Sequence, residues 1–237
     1  MKYPSPDTTA LPTYAELYEK AVRRKGEATL EERMPSPKSA DELRELPDDR
    51  YLAAMARAAF SSGFKHWIVD AMWDGFETAF HGFDPETVAA FDDDDIQRLG
   101  DDERIVRNKI KIWATVVNAR FVSNKADEHG SFGDFIADWS LEETVQLWEE
   151  IAESGHHLGG TTGPRALRYT GRDTFILTRD VTWALEEHLD VMTCSRKSKT
   201  GRRQAQDAFL AWREECDRPL SQISMVVACA YETPDDY

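Results

Sequence analysis

A glycine-rich turn, Gly155-His156-His157-Leu158-Gly159-Gly160-Thr161-Thr162-Gly163-Pro164, lies between two stretches of helical periodicity. Its spacing, Leu-Gly-Gly-x-x-Gly, is that of a helix-hairpin-helix turn, in which glycines let the backbone bend sharply and approach a ligand. The helix that follows offers N–H groups at its start, and its dipole favours an anion there. A DNA phosphate suits such a site. The residues expected to take part are His157, Gly159, Gly160, Thr161, Thr162, Gly163 and Arg165, and Pro164 in the first turn sacrifices no useful donor. An ordinary glycine-rich loop between helices is the alternative, because so short a motif recurs by chance.

The charge balance looks adverse to a polyanion. The chain of 237 residues has a net charge of −15, which repels nucleic acid on average. The distribution is uneven, however. Residues 51–104 carry 12 acids and 4 bases, whereas residues 104–125 carry six bases and no acid, and residues 155–203 carry nine bases and five acids. Salt screens fields beyond about 10 Å, so local sign decides at contact distance. Arg107 and Lys111, four apart on an expected helix, are candidate phosphate contacts or a solvated stripe paired with nearby acids.

Helices must position these groups. After a proline-spotted arm (residues 1–47) with a helix near Tyr14–Arg24, the run from Leu52 through Met55, Phe60 and Phe64 to Trp67 has helical apolar spacing. Another helix is expected from Ile68 past Trp73 to Phe80. Asp84-Pro85-Glu86, Asp92 to Asp95, Ser131 to Asp134 and Ser140 to Glu143 are helix starts. Ile105 to Phe121, Pro164 to Tyr169, Asp180 to Leu189, Arg202 to Glu215 and Ser221 to Ala230 complete the pattern. No stretch alternates as a strand does, so an all-α, two-lobed bundle is expected, with residues 48–237 as its main domain. No apolar run approaches the roughly 18 residues of a membrane span. Met1 to Pro12 is polar and reads as no secretory signal. The three cysteines, Cys194, Cys216 and Cys229, are too few and too scattered for a disulfide framework or a cysteine-rich zinc site. A cytoplasmic setting is expected.

Several segments together resemble the DNA-3-methyladenine glycosylase I family, a branch of the helix-hairpin-helix DNA glycosylases. They are Phe76-Glu77-Thr78-Ala79-Phe80, Gly82-Phe83-Asp84-Pro85, Val88-Ala89, Asp95-Ile96, Ile105-Val106-Arg107-Asn108 with Lys111-Ile112, Asn118-Ala119-Arg120, Gly130-Ser131-Phe132 and Gly160-Thr161-Thr162. The resemblance is strongest over residues 60–140 and covers roughly half the chain in the family's order. It implies the fold and a DNA-facing surface, and removal of a damaged base by flipping it out of the duplex. The departures are definite. That family ties its termini together with zinc held by two cysteines and two histidines, and this chain has no cysteine before Cys194. Where the family has a base-recognising glutamate, this chain has Ala58 and Ala59; Trp67 matches the family's pocket tryptophan.

Breaking an N-glycosidic bond builds positive charge on the sugar, which a carboxylate stabilises. In the wider superfamily the catalytic aspartate follows the hairpin by about 20 residues, and Asp173 and Asp180 are the acids in that interval here. Asp180 is the candidate, with helix capping as its structural alternative. Phe60, Trp67 and Trp73 are the rings that could stack on an extruded base, each of them otherwise a core residue. His66 and Asp70 lie close enough together for acid–base work. His156 and His157 lack further ligands at metal spacing, so no metal and no cofactor is expected. The expectation is therefore a monomeric DNA glycosylase acting on double-stranded DNA with a modified base, most simply an alkylated purine such as 3-methyladenine. The alternatives are a non-catalytic DNA-binding or regulatory relative, and a helical protein-interaction domain.

Overall fold

The computed structural model describes residues 11–63, 66–192, 194–231 and 233–234. Phe64 of the apolar run, Lys65 and residues 1–10 of the N-terminal arm lie outside the described residues. The α-helices are α1 (Tyr14–Lys25), α2 (Glu27–Glu32), α3 (Ala40–Arg44), α4 (Asp48–Ser61), α5 (His66–Ala71), α6 (Trp73–Ala79), α7 (Pro85–Ala89) and α8 (Asp93–Asp101). There follow α9 (Lys109–His129), α10 (Phe132–Ala137), α11 (Thr144–Ser154), α12 (Thr162–Thr170), α13 (Arg179–Trp183), α14 (Lys199–Cys216) and α15 (Leu220–Ala230). No strand occurs among the described residues, so the class is all-α as expected. No helix among them is long and apolar enough to cross a membrane.

The chain divides into two compact units. Of the described residues, one takes those from 11 to Pro37, Leu141–Val145 and those from Asp173 onward; the other takes those within Lys38–Ser140 and Gln146–Arg172. The second unit is organised on α4, which packs against α9 and α12. Ala53, Ala54, Ala56, Ala58 and Ala59 make α4 narrow, and all five are buried, so neighbouring helices can approach closely. An aromatic cluster closes one end. Phe60 meets Phe76 edge-on at 4.7 Å, and Trp73 stacks on Phe83 at 5.4 Å and on Phe76 at 5.5 Å.

Helix boundaries differ from expectation where caps outcompete periodicity. The apolar run from Leu52 leaves helix after Ser61. The helix expected from Ile68 to Phe80 is two, parted at Met72, whose ψ of 4° is not helical. The helix expected from Ile105 starts instead at Lys109, because the Asn108 side chain accepts the Lys111 N–H at 3.2 Å and caps it. It then runs on to His129. Arg107 therefore precedes the helix and shares no helix face with Lys111, which corrects the expected pairing.

In the first unit α1 packs on α15 and α14. The Tyr14 N–H donates to the Glu215 carboxylate at 3.0 and 3.1 Å, Trp212 Nε1 donates to the Pro12 carbonyl at 2.9 Å, and an Arg24 guanidinium N–H donates to the Cys229 carbonyl at 3.1 Å. Hydrogen bonds thus join the N-terminal helix to the C-terminal ones. The zinc that the family resemblance implies does not fit these residues: no group of three or more His, Cys, Asp or Glu able to hold a metal exists among the described residues. If no metal supports the fold, as the sequence leads one to expect, the melting temperature is unchanged by a chelator. A lowered midpoint in a chelator-matched thermal scan would contradict this.

Candidate nucleic-acid interface and base pocket

The hairpin forms as a tight turn between α11 and α12. The Gly163 N–H donates to the Leu158 carbonyl at 3.0 Å and the Thr162 N–H to the Gly159 carbonyl at 3.2 Å. A Cβ on Gly163 would lie 2.6 Å from the Leu158 oxygen, and Gly160 has φ of +63°, so both positions call for glycine. The expectation that all amides from Gly160 to Gly163 serve a phosphate is corrected here, because two of them close the turn. The N–H groups of Gly160 and Thr161 have no acceptor among the described residues. Asn118 on α9 clamps the turn from below, accepting the His156 N–H at 2.7 Å and donating to its carbonyl at 3.0 Å. His157 is exposed at φ of +57°. Burial first, then the neighbouring His156 and Lys111, holds its pKa below the ordinary histidine value.

Beside the turn, two expected residues meet. An Arg165 Nη1–H reaches His66 Nε2 at 2.8 Å. Burial, then the Arg165 charge, lowers the His66 pKa, while Asp70 opposes this. A neutral ring accepting at Nε2 carries its proton on Nδ1. Trp67 on the same short helix is 65% exposed, which removes the core alternative for that ring.

A cavity of about 230 Å³ opens along α4 and α12, with Arg50, Arg57, Trp73 and Tyr169 among its lining residues. Arg57 donates from Nε (3.1 Å) and Nη2 (2.6 Å) to one oxygen of Asp70. Its guanidinium carbon lies 5.5 Å from the Trp73 ring centroid and 5.3 Å from that of Tyr169, within cation–π reach of both. Trp73 is itself held by its Nε1–H, which donates to Glu77 at 3.0 Å. Glu77 also receives both terminal nitrogens of Arg50, at 2.9 and 3.1 Å. Arg57 and Tyr169 were not singled out from the sequence. A signal was present: Arg50, Ala53, Ala54 and Arg57 recur at i, i+3, i+4 and i+7 and share a helix face, and all four line the cavity.

Two expected contacts are placed elsewhere. Phe60 is fully buried among Phe76 and Phe80, so it is a core ring and cannot stack on a base. Lys111 is buried, and its ammonium donates to the carbonyls of Phe60 (3.1 Å) and Ser62 (2.6 Å) at the end of α4. It satisfies the last carbonyls of a helix rather than a phosphate. Burial lowers its pKa. Lys111→Met is expected to cost about 1–3 kcal/mol of stability by stranding those acceptors, measured by urea denaturation. A loss below the error of the extrapolation would show that water replaces the ammonium there. Arg107 is exposed and lies 3.6 Å from Glu103, a pair open to exchange for phosphate.

The two aspartates that follow the hairpin belong to the first unit. Asp173 is buried, and its oxygens accept the N–H groups of Leu220 and Ser221, each at 2.9 Å, at the start of α15. It is a structural cap. Asp180 is exposed and accepts from the Thr233 hydroxyl at 2.7 Å. It does not cap its helix, for the Thr178 side chain receives the Val181 N–H instead. Ala58 and Ala59 are both buried.

Residues 45–157 match the family model for methyladenine glycosylase. Over 68 residues the chain is 37% identical to DNA-3-methyladenine glycosylase 1 of Escherichia coli (strain K12), a match covering 29% of this chain and 35% of that protein. The chain thus spans about a third of the length of that curated relative. Among solved structures, a variant of 3-methyladenine DNA glycosylase I from Staphylococcus aureus superposes with a TM-score of 0.51 at 20% identity, covering 61% of this chain and 85% of that one. A further structure of the Staphylococcus aureus enzyme, solved to explain its recognition of 3-methyladenine, has a TM-score of 0.49 at 20% identity over 73% of this chain and 91% of that one.

Proposed function

We propose, from the match of residues 45–157 to the methyladenine glycosylase family model, that the protein is a DNA glycosylase. It would hydrolyse the N-glycosidic bond of a damaged or modified base flipped out of double-stranded DNA, with an alkylated purine such as 3-methyladenine as the leading substrate. The observation that carries this reading is the glycine turn heading α12, where the Gly160 and Thr161 amides stand without acceptors at a positive helix end. Arg165 and Arg107 supply charge near the backbone. Trp67 and Trp73 are the rings assigned to the extruded base, with His66 beside them, and Asp180 is the carboxylate assigned to the sugar cation. A monomer acting in the cytoplasm without a cofactor completes the proposal.

The test is incubation with duplexes bearing a panel of modified bases, followed by assay for abasic sites. Release of at least one base supports the proposal. Buried Ala58 and Ala59, in place of the glutamate of the resemblance, favour one second reading, a DNA-binding relative without catalysis. Duplex binding with no abasic product from any base would establish that reading instead.

A further inference from the structure

Trp67, Tyr169, Ile110 and Trp113 are the large apolar side chains that stand exposed among the described residues. Trp67 is assigned to the base, and Tyr169 lines the α4–α12 cavity. Ile110 (63% exposed) and Trp113 (43%) have no role so far. They lie three residues apart at the start of α9 and so adjoin on its surface. The Trp113 ring meets the His156 ring edge-on at 4.6 Å, and His156 meets His157 at 5.0 Å. The main chain of His156 is what Asn118 of the same helix clamps, so the pair continues the glycine turn onto α9. Lys109, Trp113 and Arg120 recur at i, i+4 and i+11 and share a helix face. Both cations are exposed and neither has an ion pair among the described residues. The Lys109 ammonium donates to Gln97, and Arg120 Nε donates to the Ala89 carbonyl at 3.1 Å. Trp113 and Arg120 also line a groove of about 410 Å³ that includes Asp92 and Asp93. Asp92 is spent on capping α8, where it accepts the N–H groups of Asp94 and Asp95.

We propose that Ile110 and Trp113 form a duplex-DNA contact that extends the hairpin, packing on sugars and base edges beside the phosphate that the Gly160 and Thr161 amides receive. The inference rests on the hairpin reading above and adds to it a contribution that carries no charge. Three observations select DNA as the occupant. The pair is continuous with the turn through His156. The cations that flank it, Lys109 and Arg120, have no acid partner among the described residues, so a polyanion is not repelled there. The exposed indole offers a flat apolar face, which suits a sugar or a base. Two exposed side chains are too few for a stable protein interface, which takes about 20–30 residues a side. Apolar side chains set in a groove are a usual device of proteins that unstack the duplex, and extrusion of a base requires unstacking.

The experiment is fluorescence anisotropy with a labelled, unmodified duplex across a salt series, for wild type, Ile110→Ala, Trp113→Ala and Arg165→Ala. Folding is followed by circular dichroism and mass by sedimentation. Ile110→Ala and Trp113→Ala are each expected to weaken binding about fivefold or more, by the same factor at every salt concentration, because apolar contacts release no counterions. Arg165→Ala should instead flatten the salt dependence. Ile110→Ala alters a side chain open to solvent and carries the test if Trp113→Ala fails to fold. A flatter salt dependence in Trp113→Ala, with Ile110→Ala binding as wild type, would mean that the ring only props the turn, and would overturn the inference. Unchanged affinity in both variants, with Arg165→Ala flattened as expected, would overturn it and leave the hairpin contact standing. A wild type that sediments as a dimer while Ile110→Ala is a monomer would assign the pair to contact between copies and overturn it as well. No binding by wild type at low salt would overturn it together with the hairpin reading.

Discussion

Affinity for duplex DNA is expected to fall about tenfold between about 50 and 200 mM salt, if Arg165 and Arg107 each neutralise one phosphate. The steepness follows from a local origin of the attraction. A chain of net charge −15 would draw DNA only through groups near contact, and those proposed are Arg165 and Arg107 together with the amides of Gly160 and Thr161. Arg165→Ala should flatten the dependence of log affinity on log salt by about one unit. Gly160→Val, which strains a backbone at φ of +63°, should weaken binding to all sequences alike. Gly163 is the poorer choice, because any Cβ there strikes the Leu158 carbonyl and disrupts the turn itself. Fluorescence anisotropy across the salt series reads both variants. No measurable affinity at low salt, or an unaltered Gly160→Val protein, would refute the hairpin as the DNA contact.

Asp180→Asn is expected to retain the fold and most DNA binding while lowering base release by about 10²–10³-fold, the usual consequence of removing one well-placed electrostatic group. Capping does not confound the measurement, since Thr178 caps α13 and asparagine still accepts from the Thr233 hydroxyl. The thermal midpoint should therefore hardly move. Release and thermal stability measured on the same preparation separate chemistry from folding. Full activity would transfer the carboxylate role to Asp70, which stands with Arg57 near His66 and Trp73 in the second unit.

Much of this molecule is legible in its sequence because local rules act without competition. The capping box at Asp92, the Asp84-Pro85 start and the side-chain cap at Ser131 form from residues three positions apart and need no tertiary partner. The hairpin is equally local, since the turn requires glycine at Gly160 for φ and at Gly163 for clearance. The all-α class follows from the same apolar spacing repeated along the chain.

Tertiary structure decided which side of each helix matters. Residue type alone cannot distinguish a lysine that meets phosphate from Lys111, whose ammonium ends α4; burial against Phe60 and Ser62 makes that choice. Likewise Phe60 and Trp67 are both aromatic residues near the end of one apolar run, yet packing buries the first completely and leaves the second 65% exposed. The cavity was out of reach for the same reason. Arg57 is separated from Trp73 by 16 positions and from Tyr169 by 112, and only the packing of α12 on α4 and the break at Met72 bring the three together. A chain's near neighbours set its caps and turns through short-range hydrogen bonds, whereas a pocket is assembled by long-range burial, whose partners no spacing rule encodes.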